Sequence, residues 1–480
     1  MKLTKEILRL SLPSILANIT VPLVGMVDIA IAGHISSAYG SAALIGGISV
    51  GTMLFDLLYW NFAFLRAGTG GLTAQAYGAS LPSSSPHQSS SSGLSRGSLT
   101  GPILLRALRL ALICSLAIIA VQWLVVKGAF LVVSCTPEVR ELASQYFYIR
   151  VWAAPATLSL FAFKGWFIGM QDSVRPMTAD LLVNGVNIAA SVVLALGIPG
   201  VFSGLGFRGI ALGTVIAQWT GAAYCILAIL ARYRGCFAGL SLKMGSKQGR
   251  VAQKQGVILE NGVKTRTATF FSLNRDLFLR SIGMIAVYIG FTAISAGFGD
   301  MMLAVSTILM KLLMIFSYFT DGFAYAGEAL TGRFIGERSQ DGVHSTVRQT
   351  FAWSAGVAVL FMLVYGFGGV PLFKLMTSDA AVVDAGREFI PWLLLMPLVG
   401  CPAFTWDGIF IGATASKHLR NSTLLCAIGF FAVWLASRLI TPDSSPELSL
   451  HILMGAYFVH LAIRSTYLTL TRHNAVEVTH

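Results

Sequence analysis

Apolar stretches long enough to cross a lipid bilayer recur about twelve times along the chain, and this recurrence restricts its fold more than any single motif. A bilayer-spanning helix needs about 20 mainly apolar residues, because hydrocarbon offers no partner to an exposed backbone group. The pattern places spans near 8–33, 42–66, 103–133, 142–168, 177–198, 207–231, 277–297, 302–334, 347–373, 384–411, 420–440 and 448–470. Only 11% of the 480 residues are charged, against about 25% in a soluble domain. Too few polar groups remain to cover a water-soluble globule of this size, so a cytosolic enzyme is excluded and an all-α membrane protein of twelve transmembrane helices is expected.

The formal charge of +13 must be read through its placement. One side of a twelve-span topology receives Lys2, Lys5, Arg9, Arg96, Arg106, Arg109, Lys164, Arg175, the 232–276 stretch, Arg333, Arg338, Arg348, Lys417, Arg420, Arg464 and Arg472. The other receives only Lys127, Arg140, Arg208, Lys374, Arg387 and Arg438. The asymmetry predicts a multi-pass protein of the cytoplasmic (inner) membrane with both termini cytoplasmic, and it explains the basic loop without a nucleic-acid partner. The stretch after Met1 has no convincing cleavage site, so the first span is expected to be retained. Six cysteines lie scattered, mostly in apolar runs, without the spacing of a zinc site or a disulfide framework. The serine-rich segment 80–101 reads as a flexible loop. GLSRG at Gly93 and GLGFRG at Gly204 match a nucleophile-elbow and a dinucleotide pattern, but both lack the strand such motifs require.

An internal repeat carries more information than these motifs. FAFKGWFIGMQDS from Phe161 aligns with FTWDGIFIGATAS from Phe404, bringing Gly165 and Gly169 onto Gly408 and Gly412. TPEVRELASQYF from Thr136 resembles TSDAAVVDAGREF from Thr377, and LTAQAYG from Leu72 resembles LTGRFIG from Leu330. Six spans per half preserve helix direction, so the repeat is parallel and relates two pseudo-symmetric six-helix bundles about the bilayer normal. The expected division is an amino-terminal lobe over 1–231, a basic cytoplasmic linker over 232–276 and a carboxy-terminal lobe over 277–480. Two such lobes enclose a cleft suited to alternating access, the geometry of a transporter rather than an enzyme.

Ionisable groups inside spans are costly and mark functional candidates. Asp28 lies deep in the first span, on a helical face with Asn18, Pro22, Gly25 and Ala32. A carboxyl withdrawn from water can exchange its charge for a proton, and Pro13 and Pro22 remove backbone hydrogen bonds that would keep the helix straight. Asn184, Asn187, Thr214 and Gln218 supply neutral polar groups, either as a cage for Asp28 or as interhelical glue. In the second half Asp321 and Glu328, seven apart, share a helix face. Asp407 falls opposite Lys164 in the repeat, so the two either pair across the cleft or are neutralised inside separate lobes. Trp60, Trp152, Trp166, Met26, Met170, Phe161 and Phe323 either line a greasy cavity or are simply core or lipid-facing.

LPSILANITVPLVGMVDIAIAGH from Leu12, GLTAQAYGA from Gly71, GIALGTVIAQ from Gly209, LNRDLFLRS from Leu273, DGFAYAGEA from Asp321 and WDGIFIGAT from Trp406, in this order, resemble the multidrug and toxic compound extrusion (MATE) family and its DinF subfamily. The resemblance implies export of a lipophilic or cationic small molecule in exchange for an ion, a proton before sodium, with no cofactor or resident metal. It implies that Asp28 matches the first-helix aspartate of the family's cation site and Pro13 the proline linked to bending of that helix. The chain departs from the pattern at Ser191, where relatives often carry an aspartate, and in the seventh span, which lacks the glutamate of the sodium-coupled branch. Both departures favour protons. The protein is expected to act as a monomer among membrane lipids. The alternative is a flippase for a lipid-linked precursor, which would require a strongly basic cleft.

Overall fold

Helices dominate because a backbone in hydrocarbon must satisfy its hydrogen bonds within its own segment. The computed structural model describes residues 2–35, 40–81, 99–133, 135–198, 200–237, 267–377, 379–442 and 444–477. In chain order the helices are α1 (Lys2–His34), α2 (Ser41–Trp60), α3 (Phe64–Ala79), α4 (Gly101–Ala120), α5 (Gln122–Val132), α6 (Pro137–Arg150), α7 (Ala154–Gly169), α8 (Val174–Leu196) and α9 (Phe207–Arg232). There follow α10 (Thr267–Ala296), α11 (Asp300–Gly336), α12 (Gln340–Met376), α13 (Ala380–Arg387), α14 (Ile390–Gly412), α15 (Ser416–Ile440) and α16 (Pro446–Val476).

Among the described residues, 12 segments are long and apolar enough to span a membrane. α2 and α3 form one such segment, Ala43–Ala79, while α6 and α7 join through a 3-10 turn into Pro137–Gly169. Local chemistry sets several boundaries. Thr136 and Ser445 cap α6 and α16, each with proline at the first helical position, where a missing N–H costs nothing. Gly204 and Gly206 adopt φ of 77° and 58° between α8 and α9, and a Cβ on Gly209 would lie 2.5 Å from the Ala195 nitrogen. The GLGFRG pattern is therefore a turn with a close helix approach.

Chain contacts divide the molecule into two compact units. One comprises Met1–Ile15 with Glu260–His480, the other Leu16–Leu259. α1 gives its opening turns to the first of these and its remainder to the second. The 238–266 part of the expected linker and the 82–98 part of the serine-rich segment lie outside the described residues, whereas Thr267–Asp276 is helical and opens α10.

Each unit repeats the same internal packing. In Leu16–Leu259, α7 packs on α3, α4 and α9, and α8 on α9; in the other unit α14 packs on α11, α12 and α16, and α15 on α16. The repeated glycines sit at corresponding contacts. A Cβ on Gly165 would strike the Arg66 carbonyl oxygen, and one on Gly169 would lie 2.7 Å from that of Gly70. In the other unit Gly408 faces the carbonyl of Ala324, and Gly412 that of Glu328. The alignment of Leu72 with Leu330 carries Arg66 onto Ala324 and Gly70 onto Glu328. The sequence repeat thus records one helix-crossing geometry used twice, with glycine wherever backbone meets backbone.

Candidate functional site

α1 is mainly apolar, and its exposed face carries Met26 and Ile29, while Asp28, Ile31 and Ala32 turn inward. Asp28 is only 5% exposed, and its Oδ1 has no hydrogen-bond partner among the described residues. A buried carboxylate oxygen without a donor is expensive unless the group is neutral or awaits a ligand. Arg150, at the end of α6, acts on it electrostatically. Their separation exceeds a direct ion pair. The Arg150 guanidinium instead donates to the Tyr146 hydroxyl at 3.1 Å and lies over the rings of Phe55 and Tyr146 at 4.8 and 5.5 Å. The aromatic faces hold the cation near Asp28 without letting it clamp the carboxylate.

The neutral polar groups are brought together, though not around Asp28. Asn187 Nδ2 donates to Thr214 Oγ1 at 2.9 Å, joining α8 to α9, and Asn184 Nδ2 donates to Thr20 Oγ1 at 2.8 Å, joining α8 to α1. No hydrogen bond links Asp28 to Asn184, Asn187 or Thr214 among the described residues, so the expected cage is open on the aspartate's side. Asn187 Oδ1 is likewise buried and unpartnered. Ser191, where the family often carries an aspartate, donates weakly to the Ile210 carbonyl at 3.4 Å. Gln218 accepts from Thr157 at 3.2 Å. Pro13 and Pro22 both lie inside the continuous α1, and the division between the two units falls two residues after Pro13.

Of the two arrangements the sequence allowed for Lys164 and Asp407, the structure shows neutralisation in separate units. Lys164 and Asp407 do not pair with each other. Lys164 forms an ion pair with Asp180 of α8, and Asp407 binds Arg280 of α10 at 2.6 Å together with Arg464 of α16. Each charge is neutralised within its own unit. Asp321 adds its field at Arg464, while Glu328 is fully buried on the same α11 face. Of the two acids of α11, Asp321 thus acts on Arg464, one of the two arginines that hold Asp407.

Arg150, Asp180, Arg280 and Arg464 were the groups that sequence reasoning missed. Arg464 counts as a loop cation when only span ends are considered, yet it is 1% exposed in the middle of α16. The available signal was the cost of any basic residue within a span, which demands a partner nearby. Of the candidate cavity aromatics, Trp166 is fully buried and donates to the Thr100 carbonyl at 3.1 Å, and Phe323 stacks with Trp353. Trp152 and Met26 are 58% and 67% exposed.

Comparison with known proteins identifies this architecture. The MatE family model matches residues 13–193 and 277–437. DNA damage-inducible protein F of Escherichia coli strain K12 is 33% identical over 460 residues, covering 96% of this chain and 90% of that protein. A solved structure of MATE in the bent conformation superposes with a TM-score of 0.77 at 16% identity, covering 100% of this chain and 96% of that one. A second, of MATE in the straight conformation, gives 0.75 at 15%, covering 99% and 97%. With its two packed helical units and a sequence match through most of both, the chain belongs to the MatE family of multidrug and toxic compound efflux transporters.

Proposed function

We propose that the protein is a proton-coupled antiporter of the inner membrane, both termini cytoplasmic, that exports lipophilic or cationic compounds as a monomer by alternating access. The observation that carries this reading is Asp28, buried in a membrane-spanning helix with an unpartnered carboxylate oxygen and a cation held near it by aromatic rings. Deprotonated, the carboxylate favours a cationic substrate. Protonation from outside removes that attraction and favours release, and loss of the proton to the cytoplasm resets the site. A ligand shifts such an equilibrium only through its differential affinity for the two states, and competition at one carboxyl supplies the difference.

The set of acids in the first lobe supports a proton over sodium. Sodium needs several oxygens around it, and Ser191 stands where the family often carries a second aspartate, whereas one carboxyl such as that of Asp28 suffices for a proton. Pro13, close to the division between the units, supports bending of α1, and relatives have been solved in bent and straight forms. A lipid-linked flippase is disfavoured because the half-buried Arg280 and the buried Arg464 are bound to Asp407 rather than free for a pyrophosphate.

The test is Asp28→Asn in proteoliposomes with an imposed pH gradient, in sodium-free buffer. Drug-dependent proton flux should disappear while the purified variant keeps its thermal midpoint. Undiminished coupled flux refutes the assignment, and flux that returns only with sodium reassigns the coupling ion.

A further inference from the structure

A cavity of about 280 Å³ lies between the amino end of α12, the carboxy end of α16 and Trp406 of α14. It lies at a membrane boundary, since the span containing α12 starts at Gln340 and the one containing α16 ends at His473. Its floor is apolar. Trp406 is 3% exposed, packs edge-on against Phe351 at 4.7 Å and directs its indole N–H to Thr469 at 2.9 Å, away from any ligand. Val347 and Val476 complete the greasy wall.

Arg348 and Arg472 also line the cavity, both exposed and both without a carboxylate partner among the described residues. Arg472 donates from Nε only to the ring nitrogen of His473, at 3.5 Å. His344 is engaged with Gln340 at 2.9 Å, and the only acid among the lining residues, Glu477, lies 3.7 Å from His473. Two guanidinium groups against one carboxylate leave excess positive charge above an apolar floor. Such a combination suits an anion attached to an apolar body.

We propose that this pocket takes the phosphate head group of an anionic phospholipid, with Arg348 and Arg472 as its ligands and the first acyl carbons against Trp406. Guanidinium groups match phosphate oxygens in charge and geometry, and basic pockets between membrane helices at the bilayer surface bind anionic head groups in this manner. The site is independent of the coupling chemistry at Asp28.

The experiment measures displacement of a fluorescent phosphatidylglycerol from the full-length protein in nanodiscs of zwitterionic lipid. Arg348→Gln and Arg472→Gln should each weaken binding about tenfold, the value of one charge-assisted hydrogen bond, and the double variant by about the product. The double lysine variant should retain most of the affinity. Lys374→Gln at the opposite end of α12 should change nothing, and thermal midpoints of all variants establish that they are folded. Binding by the double glutamine variant within twofold of the parent overturns the proposal, as does equal competition by phosphatidylcholine. Displacement by millimolar inorganic phosphate alone would make the pocket a soluble-anion site and also overturn it.

Discussion

Alanine at Gly169 places a new Cβ 2.6 Å from Thr73 Cβ, 2.7 Å from the Gly70 carbonyl oxygen and 2.8 Å from the Ala74 nitrogen. Carbon atoms in contact prefer about 3.5–4.0 Å, so α7 must withdraw from α3 by about 1 Å. Two of the three obstructing atoms are backbone, and no rotamer change relieves them. Overpacking of this kind costs about 1–3 kcal/mol, and this site belongs at the upper end. Alanine recovers up to about 1 kcal/mol over glycine through helix propensity. The net expectation is a loss of about 1–2 kcal/mol, which lowers the thermal midpoint by about 2–8 °C if the Leu16–Leu259 unit unfolds by itself. The control is Gly356→Ala in α12, where a Cβ meets nothing within 4 Å and only the propensity gain remains. Gly412→Ala, the repeat equivalent, meets backbone atoms of Glu328 at 3.0 Å and should also destabilise. Intrinsic tryptophan fluorescence of the purified protein during heating reads all three. If Gly169→Ala melts with or above Gly356→Ala, the repeated glycines are not backbone-contact sites and the account of the repeat is wrong.

Asp407→Asn leaves Arg280 and Arg464 without their shared acid. Stranding a buried charge costs about 3–5 kcal/mol, so the variant should be recovered in low yield with a depressed midpoint, and adding Arg464→Leu should restore part of it. A single variant as stable as the parent would show the network to be dispensable. Burial pushes the Cys236 thiol up from its ordinary value, so it reacts only once the pH is high enough to form thiolate. In a chain retaining only Cys236, maleimide should label slowly at neutral pH and faster as pH rises, and rapid neutral labelling would contradict its buried placement. A chain retaining only Cys135, in the connection before α6, should react with an impermeant reagent in intact cells. Labelling that requires lysis would reverse the proposed orientation.

The spans near 174–196, 207–232 and 416–440 were legible to within a few residues because length and apolarity are local properties that the bilayer tests directly. The glycine repeat was legible for a related reason: backbone-to-backbone packing tolerates one residue type, so Gly165, Gly169, Gly408 and Gly412 leave a trace independent of their neighbours. Asp28 was found by the cost of a charge in hydrocarbon, and the same rule applied evenly would have flagged Arg150, Arg280 and Arg464. It could not have said what they meet. Lys164 and Asp407 align in the repeat yet are satisfied by Asp180 and by Arg280 with Arg464.

The amino-acid order by itself determined the twelve spans, the duplication and the presence of an acid in the first helix. Only the tertiary structure decided that Asp28 keeps an oxygen without a hydrogen-bond partner among the described residues, that Asn184 bonds to Thr20, and that Arg348, Arg472 and Trp406 line one cavity. A helix's affinity for the bilayer is a sum over its own residues, whereas a side chain's partner depends on the rotation and crossing of helices far apart in the chain.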